Sequence, residues 1–227
     1  MARLTLYVTE DFVNTLRALV IVLVTLGLGL SVALPRAESA EQAIDAPLNK
    51  EQTLALGVAE AYLNSVRSLR ARFIQIAPDG SVAKGKFYLR RPGRLRFEYD
   101  PPVPILIVGD GFLLHYQDSE LGQVNDWPIF DTPIGSLSRD EVGFGKDLAV
   151  TAVTRDEGRT IVTVTRREDP GEGSVSLYFT SNPTQLVQWR VKDAQGQTTT
   201  VALEDLEINV HLSAKLFDWA PKSGIQR

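Results

Sequence analysis

The chain has no cysteine, two histidines and one methionine among its 227 residues. Without cysteine there is no disulfide, no thiolate nucleophile and no sulfur ligand for zinc, so packing alone must hold the fold. A thioether-linked lipid on this chain is excluded for the same reason. His115 alternates with Leu113 on an apolar strand face and reads as a core or cavity-lining residue rather than a base; His211 follows a long strand with no evident partner. Metal-ligand spacing is missing. The one G-x-S-x-small match, Gly29 to Ala33, lies in an apolar N-terminal run, and Gly143 to Leu148 lacks the third glycine of a dinucleotide loop. A net charge of −4 gives no support to a nucleic-acid partner. These absences point away from an enzyme and imply no cofactor.

Residues Met1 to about Ala40 read as an export signal. Arg3 and Arg17 precede an apolar run, Ala18 to Ala33, broken only by Thr25 and Ser31, and Ala37, Ser39 and Ala40 supply small residues for cleavage, placed after Ser39. The run is shorter than the ~20 residues of a usual membrane span. Glu10 and Asp11 in a long n-region keep an uncleaved anchor helix as the alternative. Residues 40–227 are then a single domain with a sizeable core.

From Asn49 the pattern is helical. Asn49 and Gln52 make a capping-box pair, and Leu54, Val58, Ala61, Tyr62, Val66 and Leu69 recur at three-to-four spacing as the face to be buried. After Leu69 the period becomes two. Strands are expected near 70–76, 82–90, 94–99, 104–108, 112–117, 122–126, 147–155, 159–167, 173–180, 185–192 and 198–210, separated by turns too short for crossover helices. The fold class is therefore mainly β (α+β), an antiparallel meander of about eleven strands with a long N-terminal helix.

Trp127 to Lys146 breaks this rhythm. Thr132-Pro133 reads as the cap and first residue of a short helix, and Ser138 with Glu141 as the start of another. Ile129, Phe130, Ile134 and Leu137, with Trp127, Val142 and Phe144, are too apolar for an exposed connection, so the segment is either a permanent plug or a lid. Farther on, Phe217 and Trp219 are expected to dock on the sheet.

The organising stretch is Lys84 to Gly111. Phe87/Leu89 and Leu95/Phe97/Tyr99 alternate with polar residues around Pro92-Gly93, giving a hairpin with one apolar face. Counting by twos puts Arg91 on that face, where an unpaired charge is costly, so it needs a partner. Strand parity gives an inner wall of Phe87, Leu89, Leu95, Phe97, Tyr99, Leu113 and His115, which is either a cavity lining or a filled core. Lys84, Lys86, Arg90, Arg94 and Arg96 fall on the outer face, as edge protection or as a docking surface.

The ordered set F-I-Q at Phe73, G-K-F at Gly85, R-P-G at Arg91, Y-D-P-P at Tyr99, D-G at Asp110 and D-T-P at Asp131 resembles the bacterial periplasmic lipoprotein carrier family, LolA-type, loosely from Leu54 to Pro221. The resemblance implies an unclosed β-barrel with a helical lid over a hydrophobic cavity. It implies a periplasmic, monomeric chaperone for acylated lipoproteins, loaded by an inner-membrane lipoprotein-releasing ABC transporter and unloading to the outer membrane, with or without a receptor lipoprotein there. A carrier of another lipid or glycolipid on the same half-barrel is the alternative. In such proteins the arginine of the R-P motif bonds to backbone of the lid, which makes Arg91 the expected latch. The connection Asp100 to Pro104 offers no large projecting apolar side chain with which to insert cargo unaided.

Overall fold

The structure is a computed structural model describing residues 47–220; the expected signal over residues 1–39, cleaved or retained, lies outside them. Helix α1 spans Lys50–Ser65, and its first turn is closed reciprocally: the Gln52 amide donates to Asn49 Oδ1 and the Asn49 amide to Gln52 Oε1, each at 2.9 Å. Eleven strands follow: β1 (Ser68–Ile76), β2 (Val82–Arg90), β3 (Arg94–Tyr99), β4 (Ile105–Asp110), β5 (Leu113–Asp118), β6 (Gln123–Pro128), β7 (Leu148–Asp156), β8 (Arg159–Arg166), β9 (Gly173–Thr180), β10 (Leu186–Asp193) and β11 (Thr198–Ile208). Among the described residues one short α-helix, α2 (Pro133–Leu137), lies between β6 and β7, and 3₁₀ turns occur at Ile129–Asp131 before it and Pro170–Glu172 between β8 and β9.

All eleven strands form one antiparallel sheet in the order β6-β5-β4-β3-β2-β1-β11-β10-β9-β8-β7. Each half is a meander, and β1 paired with β11 is the seam between them. Strands β6 and β7 are the two free edges, so the barrel stays open, and the segment joining them carries α2 across the gap. The basic hairpin β2–β3 lies well inside the sheet, which rules out edge protection as the reason for its charges.

One face of the sheet is apolar at every second residue. Phe73 on β1, Phe87 and Leu89 on β2, Leu95, Phe97 and Tyr99 on β3, Trp189 on β10 and Val162, Val164, Val175 and Leu177 on β8–β9 are all buried in one cluster with α1 and the α2 segment. Aromatic contacts knit the halves together: Phe87 stacks on Phe97 at 4.4 Å, and Trp189 meets Phe87 edge-on at 5.7 Å.

Helix α1 lies on this face against β7 and β8. It buries Ala59 and Leu63, while Leu54 and Val58 are 63% and 53% exposed, contrary to the face expected from spacing. The helix has apolar residues on every side, so periodicity alone did not select the buried one; Tyr62 and Val66 do turn inward with Leu63. On the opposite face of the sheet the C-terminal segment docks as expected. Phe217 is buried, Arg90 Nη1 donates to the Leu212 carbonyl at 3.3 Å, and Arg96 Nη1 to the Leu216 carbonyl at 3.4 Å. Part of the basic set thus holds the tail.

Gly85 opposes Phe73 and Tyr99 across its two neighbouring strands, where a Cβ would lie 2.3 Å from the Glu98 carbonyl oxygen and 2.6 Å from the Phe73 ring. Only glycine lets the ring lie flat on the backbone there. Gly85→Ala should therefore lower the unfolding free energy by about 1–3 kcal/mol, read from urea denaturation; an unchanged midpoint would mean that the ring is not seated against this strand.

Candidate functional site

The inner face ends at Arg91, which is only 7% exposed. Burial, with Arg67 nearby, pushes its guanidinium down to about 10, so it remains charged at neutral pH and must be compensated locally. No carboxylate meets it directly. Instead Nε donates to the Val66 carbonyl at 2.9 Å, at the C-terminal cap of α1, and Nη1 donates to the Arg139 carbonyl just beyond α2. The Gly93 amide adds a bond to the Ser138 carbonyl at 2.9 Å. One buried cation thus ties together the hairpin, the end of α1 and the end of the α2 segment.

Further bonds fix the chain beyond Arg139. Arg67 pairs with Asp140, Asn64 exchanges two bonds with the backbone of Val142, and the Phe144 amide donates to Glu60 at 3.0 Å. Thr132 caps α2, its hydroxyl accepting from the Gly135 amide at 3.1 Å. The second helix expected at Ser138 is not formed: the Ser138 hydroxyl donates to the Gly135 carbonyl at 2.7 Å and closes α2 instead.

The side chains of this segment divide their work. Leu137 and Ile134 face the sheet over Phe87, Leu89, Leu177, Trp189 and Leu203, leaving about 40 Å³ between them. Ile129 is fully buried against Gly109, whose missing side chain makes its room: a Cβ there would stand 2.5 Å from Ile129 Cδ1. Phe130 lies under the Arg139 guanidinium at 4.6 Å. More space is left towards the ends of β7–β10. A cleft of about 490 Å³ runs between Trp127, Asp131, Thr132 and Leu137 and the ends of β7–β10, floored by Leu148, Val164, Val175 and Val191. These four floor residues were not singled out by sequence; each sits in an ordinary alternating strand with nothing to mark a void above it.

Two expected wall residues lie elsewhere. Strand register pairs Gly109 with Leu114 and Ile107 with Tyr116, so Leu114 and Tyr116 share the face of Leu95 and Phe97. Leu113 and His115 therefore point outward, Leu113 being 37% exposed. The run Leu113 to Tyr116 is apolar in both phases, and the turn at Gly111 sets which one faces in. His115 is instead the centre of an outer cluster under the C-terminal segment: Nδ1 lies 2.7 Å from Asp126 Oδ1, Nε2 3.3 Å from Asp110 Oδ2, and the ring stacks on Trp219 at 4.7 Å. It has no route to the cleft.

The family described as outer membrane lipoprotein carrier protein LolA matches residues 64–220. A protein of Dechloromonas aromatica named outer-membrane lipoprotein carrier protein is 31% identical over 173 residues, covering 72% of this chain and 82% of its own. Proteins of the same name from Chromohalobacter salexigens and Methylococcus capsulatus are 29% and 27% identical, covering 72% and 73% of this chain and 81% and 83% of theirs.

The outer cluster has a measurable signature. Burial raises the Asp110 carboxyl, but the amides of Leu113 and Phe112 and the His115 ring outweigh it and hold the group below the ordinary aspartate value. A carboxyl depressed by folding stabilises the fold at pH above its unfolded value, about 4, and loses that contribution as pH falls through its folded value. Urea midpoints should fall as pH is lowered below about 4, and Asp110→Asn should flatten part of that fall. An identical pH slope in the variant would assign the loss to other carboxylates.

Proposed function

This chain belongs to the outer membrane lipoprotein carrier family, and from that premise we propose that it takes lipoprotein acyl chains from an inner-membrane ABC transporter and carries them through the periplasm towards the outer membrane. The family is one of carriers, not enzymes. Among the described residues no helix is long and apolar enough to cross a membrane. The observation that carries the reading is the apolar-floored cleft beneath a segment that the buried Arg91 cation ties to the hairpin and to the end of α1.

The energetics favour this use. At ~0.8 kcal/mol per methylene, a chain of about sixteen carbons gains on the order of 12 kcal/mol by leaving water. A charge-assisted bond such as Arg91 to the Arg139 carbonyl is worth ~1.5–3 kcal/mol. Cargo can therefore lift the side of the lid that borders the cleft, whereas in an empty carrier Ile134 and Leu137 settle over the central wall of Phe87, Leu89 and Trp189. Phe87 and Leu89 beneath the lid, with Leu95, Phe97 and Tyr99 on the same face, form the wall against which an alkyl chain would lie once Leu137 withdraws. Handing over cargo requires the reverse: the lid, anchored by Arg91, must close back firmly enough to help expel the guest.

Arg91→Leu removes both carbonyl contacts while suiting the apolar surroundings. The variant should keep its urea midpoint within the folded range yet pass a labelled lipoprotein to acceptor membranes roughly tenfold more slowly; transfer at the wild-type rate would take Arg91 out of the mechanism. Mass spectrometry of protein recovered from the periplasm should find acylated peptides bound. Free phospholipid or glycolipid alone would favour a carrier of another lipid, and a protein indifferent to every acylated species would end the carrier reading.

A further inference from the structure

The space beneath the lid is lopsided, and so are the bonds that hold it. Along α1 and the β2–β3 and β4–β5 turns the segment is pinned repeatedly: Ser138 and Arg139 by Gly93 and Arg91, Asp140 by Arg67, Val142 by Asn64, and Ile129 by its amide bond to the Phe112 carbonyl at 3.0 Å. Toward β8–β10 lies the cleft of about 490 Å³. Across its mouth reaches Arg166, whose Nη1 donates to the Asp131 carbonyl at 2.8 Å, immediately before α2. The same nitrogen lies 2.7 Å from Glu172 Oε2, and the side chain is only 18% exposed.

We propose that acyl chains enter and leave through this cleft and that Arg166 is its gate, a proposal that rests on the carrier reading above. Opening at the Arg91 end would break several bonds at once and leave the buried Arg91 cation without its lid carbonyl among apolar side chains. Lifting α2 at the Arg166 end breaks the bond to the Asp131 carbonyl while Arg167 still holds the Gly145 and Lys146 carbonyls, and Glu172 keeps the Arg166 guanidinium paired throughout, so no unpaired charge is created. The floor residues Leu148, Val164, Val175 and Val191 then receive the first methylenes, while Lys192, Asp193 and Gln195 at the rim stay hydrated beside the polar end of the guest.

The cysteine-free chain makes the test clean. The full protein carrying Asp131→Cys and Ser174→Cys, on the two sides of the mouth, is bridged after folding with a short cleavable bis-maleimide, and uptake of a pyrene-labelled long-chain fatty acid is followed by fluorescence. Bridging should slow uptake at least tenfold, and cleaving the bridge should restore it. A bridge between Arg67→Cys and Asp140→Cys, at the pinned end, should leave the rate within about twofold. Arg166→Met should admit the probe about tenfold faster than wild type. Equal uptake with the mouth bridged, equal blockage from the control bridge, or unchanged entry in Arg166→Met would overturn the gate while leaving the carrier reading intact. Failure of the untethered protein to take up any acylated probe would overturn both.

Discussion

A guanidinium on the wrong side of a hairpin governs this molecule. Arg91 follows the parity of Phe87 and Leu89 onto the apolar face, and a charge placed there is tolerated only if polar atoms are brought to it. No carboxylate meets it directly, so the atoms are backbone carbonyls, and carbonyls are free only at helix ends and irregular turns. Val66, at the end of α1, and Arg139, after α2, are such places. The requirement to satisfy one cation therefore fixes where the helix stops and where the lid returns to the sheet. Carbonyls suit a latch better than a carboxylate would, since the bonds are firm but neither partner is a full opposite charge.

The two faces of the sheet answer different problems. Its inner face is oily and shielded by α1 and the α2 segment, with glycine at 85 and 109 wherever a ring or a branched tip must touch backbone. Its outer face is charged, yet it is not left bare: Arg90 and Arg96 hold carbonyls of the C-terminal segment, and His115 with Asp110 and Asp126 seats the Trp219 ring. The tail thus braces the back of β2–β5 independently of anything beneath the lid. Such bracing holds this side of the sheet without drawing on any contact made by the segment on the other side.

Most of the architecture could be read in the residues, because the signals were local and mutually consistent. Alternation, paired with Pro-Gly and Asp-Gly turns, located every strand to within two or three residues, and the Asn49–Gln52 and Thr132–Pro133 pairs marked both helix starts. Arg91 was legible for a different reason, as a conflict between charge and parity. Two misses share one cause, namely stretches apolar in more than one phase, whereas the helix expected at Ser138 is absent because that hydroxyl closes α2 instead of opening a new turn. Leu113 to Tyr116 and the all-round apolar α1 gave no preference for a face, and only strand register and helix docking decided. The open cleft was invisible for a further reason: Leu148, Val164, Val175 and Val191 would look the same beneath a filled core.

The seam between β1 and β11 joins residues as far apart in the chain as Arg70 and Glu207, and it lies at the middle of the sheet rather than at its rim. Each half can zip locally, hairpin by hairpin, but the concavity has no shape until that final ladder closes. That ladder is the sheet's one pairing between strands distant in sequence, the kind of contact that slows folding most. Until β11 arrives, β1 offers an unpatched edge beside exposed aromatic rings, the condition in which a sheet is most open to pairing with the wrong strand.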